Sequence, residues 1–596
     1  MTNLRAIGSL QLPILALLLS LLLPLALTAQ RLYPHPILRL LGTDLAEMGD
    51  TKVGLHAYDG IGSTDLLLTK SWQENRKVAL SWIPLNGLPN GWGLLQTKTN
   101  TGRFVSWSGS DKGAYEGAAN IYWNTRRRMQ HSTFFNVQGN QRIADENEDG
   151  FRDQQAYSTY NFQHNLTVQT NDIDLQAYVQ YFGQRQHGGE LGYDWKQQAG
   201  SDSTYGFGSE TNQWVAGVSA QESWRGGHQL HLNALWRIHR EDAVYGQRNW
   251  LTQERRTGVA VHYSWEKEST LTHVYNFYQR QVLQQRWDGW AFNPNWDRFA
   301  WGGQHRRFLT SKLMVEAGLA IDYHTADRWK LLPNLRFDYS LHKQVRLGVI
   351  GGRNYRWQRA SVALKPYLLS QRSFQQESYG PDRLWYVGGL LQTEPIKLGK
   401  WAFSTKTVYQ ARLLTKQLVL DPTDAPMVVL SHQSTAGPWQ HLLLLTTQLQ
   451  RENFTMGITY RWRDKPISTK HGTGQTFFEA RHSLLAQVAY FKSINRTLRW
   501  WKLSTDYLLQ SPLRLPTAEV SPYLHHWRCQ LDLQWKNIRQ SRWRPTTFVG
   551  VENLLNQKQA QLYASADQPF SQSFDGSNRW GDVVGRRWYM GVRVGF

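Results

Sequence analysis

Cysteine is all but absent. Cys529 is the one cysteine in 596 residues, so neither an intrachain disulfide nor a cysteine-rich metal site can form. Long apolar runs are missing as well: past the first thirty residues none approaches the ~20 residues that a membrane-crossing helix needs. Acidic residues are outnumbered, 46 Asp and Glu against 67 Lys and Arg, for a formal charge of +21. So basic a chain invites a nucleic-acid reading, but the charges are scattered and the N-terminus reads as an export signal, so no nucleic-acid partner is expected. Catalytic signatures are lacking too. There is no G-x-S-x-G, H-E-x-x-H or C-x-x-C, and no acid–His–Ser grouping can be placed. Neither enzymatic activity nor a cofactor is expected.

What is abundant is aromatic. The chain holds 28 Trp and 27 Tyr, residues that favour membrane–water boundaries, where the ring is buried and its polar handle stays wet. A mean hydropathy of −0.55 is low for a helical membrane protein but suits a transmembrane barrel, whose strands show lipid only every second residue. The basic excess then belongs to loops facing an anionic outer leaflet or to a lumen that draws anionic solutes.

Rows of alternating residues bear this out. Trp588, Met590, Val592, Val594 and Phe596 fall on one side of an extended chain, and Tyr589, Gly591, Arg593 and Gly595 on the other. Similar rows run from Ile173 to Tyr181, Leu230 to Ile238, Val259 to Trp265, Leu313 to Tyr323 and Phe454 to Trp462. Cys529 shares such a face with Leu531, Leu533 and Trp535, as a small lipid-facing residue. A soluble sandwich would also alternate, but the number of rows, their length and the export signal favour a barrel. The expected fold is all-β, a large antiparallel outer-membrane barrel of about 20–24 strands. The polar segments 183–212 and 284–306 read as outward loops.

Three regions follow. Residues 1–29 read as a signal peptide. Arg5 is the only charge before Arg31, Leu10 to Leu27 is apolar, and Ala26, Thr28 and Ala29 suit cleavage near Ala29–Gln30. A retained helical anchor is the rival, which Pro24 and the small residues disfavour. Residues 30–90 form a short N-terminal segment, and 91–596 the barrel.

Several stretches resemble a known family. Asp145-Glu146-Asn147-Glu148-Asp149-Gly150-Phe151-Arg152-Asp153 resembles a turn found early in the barrels of TonB-dependent outer-membrane receptors from Bacteroidota. Leu332 to Arg336, Val345 to Leu347, Gly351 to Arg356 and Leu368 to Phe374 are similar to a mid-barrel run there. Gly550 to Asn556, Pro569-Phe570, Phe574-Asp575, Trp580-Gly581 and Gly585-Arg586 match the end of the barrel. The order and spacing of these segments carry the resemblance, which implies a receptor that imports a nutrient. Haem or another anionic solute is the candidate cargo. Two departures stand out. Nothing between Gln30 and Pro89 resembles the family's plug domain or TonB-engaging segment, and Asp582 replaces a proline. Import driven through TonB by this chain alone is therefore in question, and passive conduction is the variant reading.

Candidate functional residues are few. Asp145 to Asp153 begins like a calcium-binding loop, but loop position 12, where a bidentate glutamate belongs, is Ala156; a polar turn with Gly150 at the unusual backbone angle is the expected reading. Of the 19 histidines, His525 and His526 are adjacent and would point to opposite faces of a strand. His35, His187 and His228, near Pro or Gly-Gly, read as turn residues. Arg353, Tyr355 and Arg356 are the substrate-binding candidates, against a plain reading as a strand end at the membrane boundary. Expected partners are outer-membrane lipid and lipopolysaccharide, with a surface lipoprotein or a separate receptor as a further one. The alternative function is a non-transporting scaffold or surface-binding partner of such a receptor.

Overall fold

The computed structural model describes residues 104–595 with short interruptions, the longest being 357–369, and before them the strand pair Ala79–Pro84 and Gly93–Lys98. The leader, residues 30–78 with His35, Trp580 to Asp582, and the closing Phe596 lie outside the described residues.

Twenty-two antiparallel strands close into one barrel. They are β1 Phe104–Ser110, β2 Ala114–Arg126, β3 Met129–Asn140, β4 Ala156–Gln169, β5 Ile173–Gly189, β6 Gly206–Trp224 and β7 His228–Tyr245. Then follow β8 Arg248–Lys267, β9 Thr270–Trp287, β10 Asn295–Phe308, β11 Leu313–His324, β12 Arg328–His342, β13 Val345–Arg356 and β14 Asp382–Thr393. The circuit ends with β15 Trp401–Asp421, β16 Trp439–Arg451, β17 Phe454–Asp464, β18 His482–Ser493, β19 Leu498–Gln510, β20 Leu524–Trp535, β21 Arg544–Glu552 and β22 Arg587–Gly595. Phe104 pairs with Gly595 on one side and Asn120 on the other, so β1 joins β22 and no edge is left open. The count falls inside the expected range.

The alternation read in the sequence is the alternation of the wall. On β8, Trp250, Thr252, Glu254, Arg256, Ala260, His262 and Ser264 are buried on the inner face, while Val259, Tyr263 and Trp265 are exposed on the outer. On β12, Trp329, Leu331, Leu335, Phe337 and Tyr339 are exposed outward. From Trp329 to Tyr339 the strand rises ~33 Å, or about 25 Å along the barrel axis after tilt, which matches the apolar band of an outer-membrane barrel. On β22, Trp588, Met590 and Val592 are exposed while Tyr589 is buried.

The two rims differ. One carries short turns, such as 127–128, 225–227 and 452–453, and the other carries the long connections 141–155, 190–205, 357–381 and 553–586. In the turn 225–227, Gly226 and Gly227 have φ of +87° and +81°, and a Cβ on Gly227 would sit 2.1 Å from the Glu266 carbonyl. Only glycine serves there. Short turns on one rim and long connections on the other are the asymmetry of outer-membrane barrels.

Segments 183–212 and 284–306 are loop only in their middles, 190–205 and 288–294; their flanks are strand. β5 runs to Gly189 and β6 starts at Gly206, while β9 runs to Trp287 and β10 starts at Asn295. His187 is accordingly a strand residue, and His228 opens β7 directly after the glycine turn. The strands β5 to β9 are 17, 19, 18, 20 and 18 residues long, against the ~10 that cross a membrane. The surplus stands above the lipid with water outside, so no apolar row marks it.

Candidate functional site

The inner wall is charged, and its charges are matched. Glu254 and Arg256 lie 3.0 Å apart on β8, and Gln281 of β9 donates to Glu254 at 3.1 Å while accepting from Arg256 at 3.2 Å. Arg298 of β10 meets Asp322 of β11 at 2.5 Å, Arg306 meets Glu316 at 2.7 Å, and Arg336 meets Asp338 on β12 at 2.5 Å. Asp322 is fully buried. Each pair offsets the desolvation of its partner, and breaking one by removing a single member costs about 3–5 kcal/mol.

At the loop-rim end of β6 to β9 the inner face changes character. Phe207 and Tyr245 stack with ring centroids 5.8 Å apart, Tyr245 lies 5.9 Å from Trp287, and Trp287 meets Trp250 edge-on at 5.8 Å. Strand register builds this box, since Phe207 pairs with Tyr245 and Trp250 with Trp287. Thr252 and Gln285 pair just beneath. Gln285 is completely buried, yet among the described residues neither atom of its amide has a hydrogen-bond partner; nor do the Thr252 hydroxyl or the Trp250 indole N–H. Leaving such groups unmatched costs about 1–3 kcal/mol each, so unmatched donors and acceptors beneath a row of aromatic rings are places for bound water or a polar guest.

A second inner-wall region is apolar. Ile350 of β13, Leu384, Tyr386 and Leu390 of β14, Val408 of β15 and Leu442 of β16 form one buried cluster. Ile350 is 2% exposed, whereas Val349 beside it on the outer face is 52% exposed. These side chains pack on one another across adjacent strands of the wall.

The long connections are tied together above the lumen. Phe151, Tyr205 and Phe574, from three of them, form a buried knot with ring separations of 5.8 Å and 4.5 Å from Phe574. The Asp145–Asp153 turn positions Phe151. The Asp145 carboxylate accepts from the amides of Asp149 and Gly150, Asp149 accepts from Phe151, and Asp153 accepts from Glu146. Gly150 takes φ +81° as expected, and Glu148 also lies in the left-handed region at +58°. Lys112 and Lys558 clasp Glu146 at 2.6 and 2.8 Å. Burial pushes the Asp153 carboxyl up to about 6; the Glu146 amide pulls it back, and the carboxylates of Asp145, Asp149 and Glu146 raise it further. Among the described residues no group of three or more ligand side chains converges to hold a metal.

Arg353, Tyr355 and Arg356 lie at the loop-rim end of β13, away from the aromatic box. The Arg353 guanidinium sits 5.7 Å from the outward-facing Trp385 ring. His526 is buried, while His525 meets the Tyr507 hydroxyl at 2.8 Å, on the opposite face. Sequence reasoning missed the box, because Gln285 and Trp287 fell inside a segment read as loop.

No family model matches the chain, and no curated protein does. Solved structures do. A ferric enterobactin receptor (PfeA) mutant from Pseudomonas aeruginosa superposes with a TM-score of 0.62 at 10% identity, covering 83% of this chain and 80% of that one. The siderophore receptor PirA from Acinetobacter baumannii gives 0.58 at 11% identity, covering 84% and 81%. The FrpB iron transporter from Neisseria meningitidis gives 0.58 at 11%, covering 83% and 82%. The fold is that of an outer-membrane receptor barrel. At these identities the likeness is one of architecture.

Proposed function

We propose that this chain is an outer-membrane receptor that admits a solute from the loop side and passes it inward. The carrying observation is Gln285, a fully buried side chain on the inner wall whose amide is unmatched beneath an aromatic box. A scaffold kept for its loops has no use for such a group. The solved barrels it resembles are named for ferric enterobactin, siderophores and iron, so ferric chelates with planar aromatic arms are the first substrates to test, and haem the second. The contacts that tie the long connections together over the mouth favour gated passage over an open pore. Arg353 serves as an interfacial cation rather than a ligand contact.

Uptake of radiolabelled ferric chelates by a strain carrying this chain as its sole receptor tests the reading. The full chain should restore uptake, and Gln285→Leu with Trp250→Ala should weaken ligand binding about tenfold, the loss of one hydrogen bond and one aromatic contact. Uptake unchanged in that variant would remove the box from the function. In planar bilayers the intact chain should be silent; a large steady conductance would establish an open pore instead.

A further inference from the structure

We infer that the inner wall holds a binding site for a divalent transition-metal ion near the turn rim, with His262 of β8 and His273 of β9 as its chelating pair and His231 of β7 beside them. The inference is independent of what the lumen transports. Strand register sets the three imidazoles in a row. His231 pairs with His262, while His262 pairs with Tyr275 and Ser264 with His273. His262 and His273 are therefore diagonal neighbours, close enough for long side chains to meet. All three share the inner face with Glu254 and Arg256. His228 opens β7 and Thr270 opens β9 at the turn rim, so His231 and His273 stand three residues from it, ~10 Å along the strand.

Ring geometry points to a metal. The ring centroids of His231 and His262 are 5.5 Å apart, and those of His262 and His273 5.0 Å. His262 Nε2 lies 2.9 Å from His273 Nδ1. Imidazole nitrogens bind such ions at ~2.0–2.1 Å, so two of them at a right angle around one ion are ~3 Å apart. The pair already has that spacing. Between neutral rings this contact is a single hydrogen bond, one nitrogen donating to the other, whereas an ion takes a lone pair from each. His231 and His262 are each 8% exposed, and His231 Nδ1 has no partner among the described residues. Next along the row, Gln304 of β10 pairs with His273, and its amide nitrogen is likewise unmatched. Turning that amide over presents its oxygen instead.

The donors set the class of ion. Neutral imidazoles suit copper, nickel and zinc, and copper(II) binds them most strongly of the three, whereas magnesium and calcium want oxygen. Among the described residues no three ligand side chains converge on one point. The His262–His273 pair therefore takes the ion, and water fills the positions that remain, as in an open site. Charge does not oppose this. Arg306, two residues from Gln304 on the same face of β10, is held by Glu316 at 2.7 Å. An ion on the pair crosslinks β8 to β9.

The test uses the full chain in detergent, purified without a histidine tag, with copper(II) alone as the probe. One tight equivalent is expected, its spin-resonance spectrum showing two nitrogen donors, and the folded band in heat-modifiable gels should persist to a higher temperature when it is bound. His262→Gln and His273→Gln should each weaken that equivalent by more than the roughly 10–100-fold that loss of an outer-shell partner costs. His441→Gln, on an outer-face imidazole that already meets the Tyr409 hydroxyl at 2.9 Å, should leave it intact. A tight equivalent that survives His262→Gln with His273→Gln, or an equal loss in His441→Gln, would overturn the site. So would a parent spectrum without nitrogen donors, which decides the matter even if the variants misfold. Displacement of the copper by an equal concentration of magnesium would overturn the assignment to imidazole ligands.

Discussion

Ser370 lies across an antiparallel bridge from Asp575, joining the connection between β13 and β14 to the one between β21 and β22. Both residues are buried. The bridge straps the mouth of the barrel from two well-separated places on its rim, and Phe574, next to Asp575, locks into the aromatic knot with Phe151 and Tyr205.

Bridged residues stand about 4.5–5.5 Å apart at Cα, inside the range a disulfide spans. Ser370→Cys with Asp575→Cys, in a Cys529→Ser background, should therefore crosslink the strap. Uptake should fall by roughly an order of magnitude when oxidised and recover with reductant, because opening of the mouth gates entry. Equal uptake in both redox states would show that solute does not pass this way.

Arg298 and Asp322 should be needed as a pair. Asp322→Leu alone strands a buried guanidinium and should destabilise the barrel by about 3–5 kcal/mol, whereas Arg298→Met with Asp322→Leu should recover most of that loss. The temperature at which the folded band disappears in heat-modifiable gels reads this out. A double change as damaging as the single one would mean that the pair acts through more than its charge.

Asp153 gives the loop turn a pH dependence. Its folded value of about 6 exceeds the ordinary ~3.9, so the folded turn favours the protonated acid. That stabilisation is fully present below about pH 4 and is lost as pH rises through 6. Asp153→Asn keeps an acceptor for the Glu146 amide without the charge, and should tighten the turn at pH 7.5 by about 1–3 kcal/mol. Amide-exchange protection at Glu146 and Phe151 should fall from pH 5 to pH 8 in the parent and stay level in the variant. The same slope in both would rule out Asp153 as its source.

Met590 faces outward on β22 and has no use for charge. Met590→Lys should cost about 2–4 kcal/mol on a lipid-facing wall and reduce the folded fraction in the outer membrane. The inward-facing Arg593→Lys should be nearly neutral. Normal membrane levels of Met590→Lys would contradict a lipid-facing β22.

Much of the wall was legible in the chain. Val259 to Trp265 and Trp588 to Val592 alternate because lipid meets every second residue and the lumen the others. Legibility ended where lipid ended. Between Arg248 and Arg255, and between Gln284 and Trp287, both faces are free of lipid, so strand and loop look alike. That is why Gln285 escaped notice. The Arg353 to Arg356 group drew attention as a basic cluster, but only the outward stacking of Arg353 on Trp385 shows what that arginine touches.

By itself the sequence determined the class of wall, the closing role of the last strand and the Gly150 turn, since each depends on side chains within a few residues of one another. Tertiary structure alone decided that Phe104 would pair with Gly595 to close twenty-two strands, that Arg298 would find Asp322, and that Phe207, Tyr245, Trp250 and Trp287 would pack together. These contacts depend on register between strands, and register is set by the whole circuit of hydrogen bonds rather than by any one stretch of chain.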